Sequence, residues 1–197
     1  MMQKRSKAVV LIDLIEEIVG KEGLSNSSYQ QFIQRNILEE SNRAIALARL
    51  EEIPIIWVKV GFADDYHDIP RFSPMFHQAK ERGALRLNSP NNCWIKGLEQ
   101  SEEDHYFIKK GVSIFTGNNL ARWLEISKID TLILGGVSSL LAIQSSAREA
   151  HELGFRVYVV DELCAAKSFE LHQESMDALE GLATVISIAE LKKLLEA

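Results

Sequence analysis

The chain has 197 residues, 46% of them apolar and 25% charged, the composition of one globular domain with a large core, spanning 1–197. Lys plus Arg (22) against Asp plus Glu (28) gives a net charge of −6 with no basic block longer than a pair, which excludes the concentrated positive face that nucleic acid requires. Cys93 and Cys164 lie far apart with no Cys-x-x-Cys spacing, so neither a disulfide framework nor structural zinc is expected, and a reducing cytoplasm suits the chain.

Met1-Met2-Gln3-Lys4-Arg5 leads straight into a strand-like run, not into a signal-peptide apolar region, and no segment reaches membrane-spanning length. The run is Ala8-Val9-Val10-Leu11-Ile12, closed by Asp13. Ile33, Ile37, Ile45 and Ala48 then recur at helical spacing in one long segment. A second strand is read over 53–60, and the stretch 61–104 follows with Pro70, Pro74 and Pro90 and no clear period. So long a connection in a compact domain is usually functional. His105 to Lys109 is a third strand, and Leu120, Trp123 and Leu124 mark a helix.

Thr131 to Leu134 is a fourth strand, and Gly135-Gly136-Val137-Ser138-Ser139 reads as a turn into a helix carried by Leu140, Ile143, Ala147 and Ala150. Arg156 to Asp161 and Thr184 to Ile186 are the last strands. Ser187-Ile188-Ala189-Glu190 is spaced as a capping box for a final helix. The strands are short, apolar throughout and separated by helices, the pattern of an open parallel sheet covered on both faces. Ligands then belong at the carboxyl ends of the strands.

Two charged residues close strands at that end. Asp13 ends the first and Lys109 the third, and if both strands lie near the sheet centre an acid and an ammonium share one pocket. Asp13 reads equally as a turn cap and Lys109 as a solvated strand end. The glycine turn offers amide donors for an anion or a developing oxyanion, or is glycine for steric reasons alone. It has neither G-x-G-x-x-G nor G-x-x-x-x-G-K, so no nucleotide cofactor is supported, and no cofactor is expected.

Asp13 after its apolar run, Lys109 in Asp104-His105-Tyr106-Phe107-Ile108-Lys109-Lys110-Gly111-Val112-Ser113, and Gly136-Val137-Ser138-Ser139-Leu140-Leu141-Ala142-Ile143 together resemble the isochorismatase-like hydrolases, also called cysteine hydrolases. Val159-Val160-Asp161-Glu162-Leu163-Cys164 continues the resemblance, which spans almost the whole chain. It implies a three-layer α/β/α sandwich on a six-stranded parallel sheet in the order 3-2-1-4-5-6. It also implies an Asp, Lys and Cys triad, a cis peptide between Val137 and Ser138, and a homo-oligomer acting on a small molecule.

Carried over by position, Asp13 is the acid or base and Lys109 the lysine. The cysteine position, six residues after Gly136, holds Ala142, which has no nucleophilic atom. Cys93 and Cys164 read as inert, buried or half-buried side chains, and Ser138, Ser139 and Ser145 as turn, capping and packing residues with no histidine beside them. The resemblance further implies that isochorismatases need no cysteine, because an aspartic acid protonates the enol carbon of a vinyl ether and water attacks. Substrate contacts are expected from Val137, Ser138, Phe62 and Phe115, with Trp57 and Trp94 as further aromatic candidates. Asp65-Tyr66-His67, with His77 beyond, has the first half of the metal motif of the family's nicotinamidases but reads more simply as solvated surface, and no metal is expected. His105, His151 and His172 read as strand-start or helix-surface residues.

Overall fold

Apolar strands flanked by amphipathic helices bury their residues only if the sheet is covered on both faces, and the computed structural model shows that arrangement for residues 6–196. The segment Met1 to Arg5, with the reading that it is no signal peptide, lies outside the described residues. In chain order the elements are β1 (Ser6–Ile12), α1 (Glu16–Val19), α2 (Tyr29–Gln34), α3 (Ile37–Leu50), β2 (Ile55–Val60), α4 (Pro74–Glu81), β3 (His105–Lys109) and α5 (Leu120–Ile126). There follow β4 (Ile129–Val137), a π-helical turn (Ser139–Ile143), α6 (Gln144–Glu152), β5 (Arg156–Ala165), α7 (Phe169–Asp177), β6 (Thr184–Ile186) and α8 (Ile188–Glu196). The six strands are ordered β3-β2-β1-β4-β5-β6, and every pairing is parallel.

Alternate side chains of β1 feed two cores. Ala8, Val10 and Ile12 pack with Leu120 and Leu124 of α5, Ala147 and Ala150 of α6, and Met176 of α7. Val9 and Leu11 pack on the other face with Ile45 and Ala48 of α3 and Leu191 and Leu195 of α8. Residues 8–12 are wholly buried, because the central strand of a three-layer fold has no solvent face. Each fully buried leucine in these layers contributes about 1.5–3 kcal/mol of transfer free energy. Among the described residues, no helix is long and apolar enough to cross a membrane.

The structure redraws several boundaries. The long helical segment is two helices, broken at Asn36, whose φ is +53°, and Ile33 on the first is exposed. Gly135 and Gly136 belong to β4, not to a turn. A Cβ on Gly135 would lie 2.7 Å from the Leu163 side chain, and one on Gly136 would lie 2.1 Å from the Ile12 carbonyl oxygen. Both glycines are therefore steric requirements of a strand wedged between β1 and β5. β5 runs on to Ala165 through an irregularity: β4 advances from Leu134 to Gly136 while β5 advances from Val159 to Cys164. The π-helical turn shifts the helical phase, so Leu140 is exposed while Ile143, Ala147 and Ala150 are buried.

The stretch 61–104 is not structureless. Ser73 caps α4, accepting from the Phe76 amide, and Pro74 opens the helix. Phe62, Tyr66, Phe76, Ala79, Ala84 and Leu85 form a third apolar cluster, so this connection folds as a lobe over the carboxyl end of the sheet.

Candidate active site

Asp13 leaves β1 with φ +56°, a left-handed conformation that Asp tolerates better than most residues. Its amide still pairs with the Val58 carbonyl of β2 at 2.9 Å, so the sheet ladder carries the carboxylate to the strand end. There Oδ1 accepts from the Val60 amide at 2.7 Å, and Oδ2 lies 2.8 Å from Lys109 Nζ. β3 and β1 are not neighbours, because β2 lies between them. Two strand spacings are about 10 Å, a gap that the four-carbon stem of lysine and the Asp13 side chain close together.

Lys109 Nζ also donates to the carbonyls of Gly111 at 3.1 Å and Val112 at 2.8 Å. With Asp13 these engage all three ammonium hydrogens. Side-chain exposure is 2% for Lys109 and 4% for Asp13, so the pair is out of bulk water. Burial pushes the Asp13 carboxyl above its ordinary range, outweighing the downward pull of Lys109 and of the Val60 amide. The neighbouring Lys110 turns the other way, to Asp68 at 2.6 Å and the Gly61 carbonyl at 2.7 Å.

A cavity of about 290 Å³ opens onto this pair. Its floor is made by Asp13, Lys109, Val60, Val137, Ser138 and Ala142, and the Val137–Ser138 peptide bond is cis. Ala142 is 3% exposed, its methyl group on the cavity wall. Met75, Phe76 and Ala79 of α4 form one side, and the loop Leu24 to Ser28 forms the rim. The sequence reading does not anticipate the α4 contribution, although Ser73-Pro74 is a helix-start signal and 75, 76, 79 share a helical face.

Phe62 and Phe115 do not line the cavity, which corrects the sequence expectation. Phe62 stands behind the wall, edge-on to Phe76 with centroids 5.0 Å apart. Phe115 stacks on Phe155 at 6.1 Å within the core on the α5 and α6 face. Trp57 and Trp94 meet each other at 5.3 Å on the α3 face of the sheet, because the alternation of β2 points residue 57 away from the side that Val58 occupies.

One of the serines, Ser139, has a histidine partner that the sequence reading misses. His172 is fully buried, not on a helix surface, with Nδ1 2.7 Å from Ser139 Oγ and Nε2 2.9 Å from Asp161 Oδ1. Arg35 continues the chain, bonding Asp161 Oδ2 at 2.7 Å and the Cys164 carbonyl at 2.9 Å. The bonds to His172 and Arg35 hold the Asp161 carboxyl at about 2. Because Asp161 is an acceptor, Nε2 carries a proton toward it, and the Ser139 hydroxyl, which can donate or accept, completes Nδ1. The connectivity is that of a Ser-His-Asp relay, but Ser139 is wholly buried and absent from the cavity wall, so it anchors the π-helical turn and does not attack a ligand. The signal lies in the Phe169, His172, Met176 spacing of one helical face.

Asp65 and His67 bond each other at 2.7 Å on the surface, 73% and 71% exposed, and His77 Nε2 is spent on the Arg71 carbonyl at 2.8 Å. Among the described residues, no group of three His, Cys, Asp or Glu side chains is placed to hold a metal. These residues do not fit the nicotinamidase metal set. Cys164 is buried, its thiol pushed up to about 12 by desolvation, whereas Cys93 is exposed, contrary to expectation. Neither lines the cavity.

A parallel three-layer sandwich with a charged pair at the carboxyl ends of its strands defines an α/β protein with a small-molecule cavity. The chain belongs to the isochorismatase family: the model of the isochorismatase domain matches residues 7–190. It is 27% identical over 193 residues to an uncharacterized isochorismatase family protein of Escherichia coli O157:H7, covering 96% of each chain. It is 25% identical over 170 residues to a probable inactive nicotinamidase of Arabidopsis thaliana, covering 85% of each. In fold it matches an isochorismatase family protein from Desulfovibrio vulgaris with a TM-score of 0.86 at 20% identity, covering 98% of this chain and 100% of that one.

Proposed function

We propose that the protein hydrolyses a small metabolite with Asp13 as general acid and base and water as the nucleophile. Lys109 fixes and neutralises the Asp13 carboxylate, Val137 and Ser138 contact the substrate, and Ala142 stands where the family's amidases carry their cysteine. The observation that supports this most directly is a buried carboxyl on the cavity floor with its proton affinity raised by burial. A carboxyl whose proton affinity is raised by burial is better suited than an ordinary one to give a proton to a substrate and recover it.

On a vinyl ether the steps balance without a covalent enzyme intermediate. Asp13 donates its proton to the enol carbon, leaving an oxocarbenium ion. Water adds to that cation and returns a proton to Asp13, and the resulting hemiketal splits into a ketone and an alcohol. Lys109, with all three hydrogens engaged, has none to give to the substrate and acts only on Asp13.

The test is turnover of a panel of vinyl ethers, esters and amides by the wild-type protein and Asp13→Asn. Loss of at least about 10²-fold in rate with an unchanged circular dichroism spectrum supports the role. Absence of turnover across the panel, or an Asp13→Asn variant as fast as wild type, sinks it.

The methyl group of Ala142 on the cavity wall favours a second reading, a family member that binds a metabolite without transforming it. Ligand-dependent thermal stabilisation without product would support it, and amidase activity appearing in Ala142→Cys would show that the rest of the site is intact. We also propose a cytoplasmic homo-oligomer, to be checked by sedimentation.

A further inference from the structure

We infer that Asp161 is a positioning residue for the cavity, its two carboxylate oxygens holding the rim loop and the floor turn in one fixed relation. This rests on the cavity being the substrate site and adds what keeps that site in shape. Asp161 does not line the cavity, so it acts only through the groups it binds.

One arm runs to the rim. The loop Leu24 to Ser28 passes straight into α2, where the Tyr29 amide donates to the Asn26 carbonyl and the Phe32 amide to the Ser28 carbonyl, both at 2.9 Å. Arg35 follows the last residue of α2. Its Nη2 donates to Asp161 Oδ2 at 2.7 Å and to the Asp161 carbonyl at 2.9 Å, and its Nε to the Cys164 carbonyl at 2.9 Å. With the guanidinium side chain only 14% exposed, this charge-assisted fork fixes the direction of the helix end as well as its distance from β5.

The other arm runs to the floor. Asp161 Oδ1 lies 2.9 Å from His172 Nε2, and His172 Nδ1 lies 2.7 Å from Ser139 Oγ. Ser139 opens the π-helical turn, and its neighbours Ser138, Leu141 and Ala142 all line the cavity. His172 and Ser139 are wholly buried, where bulk water does not compete for these bonds. The irregularity of β5 between Val159 and Cys164 explains why this residue serves both arms: it turns Asp161 out of the ladder to stand between α2 and α7, as bulges beside sites commonly re-aim a side chain. A carboxylate has two acceptor oxygens, and each one serves a different arm.

The test uses Ala142→Cys as a reporter. The thiol placed on the floor is alkylated with iodoacetamide well below the unfolding temperature and followed by peptide mass spectrometry, with exposed Cys93 as the reference rate and buried Cys164 as the report of core opening. Arg35→Met and Ser139→Ala, each made in that background, are expected to raise the rate at position 142 relative to Cys93 by at least about fivefold. Both cut the same tether, so the two together are expected to fall short of the product of the single effects by about threefold or more. Asp161→Ala alone is expected to match that double variant, and Asp161→Asn, which keeps one acceptor oxygen, to fall between it and the parent. Should Asp161→Ala fail to fold, the two single variants and their combination still decide. Single effects that simply multiply show two independent anchors and overturn the inference. So does a rate at position 142 that no variant moves, or one that rises only together with Cys164, which is unfolding and not positioning. Labelling needs no turnover, so a protein inactive on every substrate defeats the proposed hydrolysis without touching this result, and turnover with kcat and KM unchanged in Arg35→Met defeats only the positioning role.

Discussion

Asp13 and Lys109 are each satisfied by the other and by backbone groups, and neither has a solvated alternative. Removing one partner from a buried pair strands the other charge, at a cost of about 3–5 kcal/mol. Lys109→Met is therefore expected to lose stability of that order at pH 7 in urea titrations. The sign with pH follows from the direction of the Asp13 shift. Its folded carboxyl already binds protons more tightly than the unfolded reference of 3.8, so its favourable contribution is present below that value and is lost as pH rises through the folded one. Without the lysine the folded value rises further, and Lys109→Met should recover stability as the titration is repeated at progressively lower pH toward 4. A pH-independent deficit would contradict this. Asp161 behaves oppositely. With its carboxyl held at about 2, against 3.8 unfolded, its contribution is present above 3.8 and fades as pH falls toward 2. Because its side chain is 33% exposed, screening limits that contribution to about 1 kcal/mol. Asp161→Asn should cost about that much at pH 7 and nothing near pH 2.

The elements carry their own constraints, of which β4 is the tightest. Gly136 combines φ +134° with a would-be Cβ 2.1 Å from the Ile12 carbonyl oxygen, which is backbone and cannot move aside. Gly136→Ala is expected to cost more than about 3 kcal/mol, read as loss of the cooperative thermal transition or of soluble protein. The strands also show where the sequence is legible. Runs such as Ala8 to Ile12 reveal both strand type and two-sided burial, because a continuous apolar run escapes water only when both faces of its strand are covered. The capping box also closes as its spacing requires, with the Ser187 amide 2.8 Å from Glu190 Oε2 and the Glu190 amide 3.3 Å from Ser187 Oγ. A glycine pair, by contrast, signals freedom of the backbone and not the direction in which that freedom is used, so the sequence pattern ends β4 too early, at Leu134. His172 is misread for a related reason. Periodicity shows that a residue shares a helical face, but only the strand irregularity at 160–163 brings Asp161 within reach of that face. Phe62 is no wall residue because another aromatic, Phe76, on a helix inside the stretch read as irregular, takes the position in front of it.

At the scale of the molecule, two cores flank the sheet and a third, smaller one lies in the lobe over its carboxyl end. The lobe cluster depends on few residues, and Phe76 links it to the cavity wall. Phe76→Ala should raise amide hydrogen exchange across 62–92 while leaving exchange in β1 and β4 unchanged, as expected when a region opens below the global unfolding free energy. Uniform acceleration through the sheet would show instead that lobe and sheet unfold as one unit.

The acid belongs to an interior strand and the ammonium to the outermost one, β3, whose Tyr106 and Ile108 face solvent. The two halves of the proposed reaction centre therefore rest on parts of the fold with unequal resilience. Mild denaturant that frays the margin of the sheet would part the pair while the middle stays intact, so that the proposed activity, where measured, would gauge the periphery and not the interior.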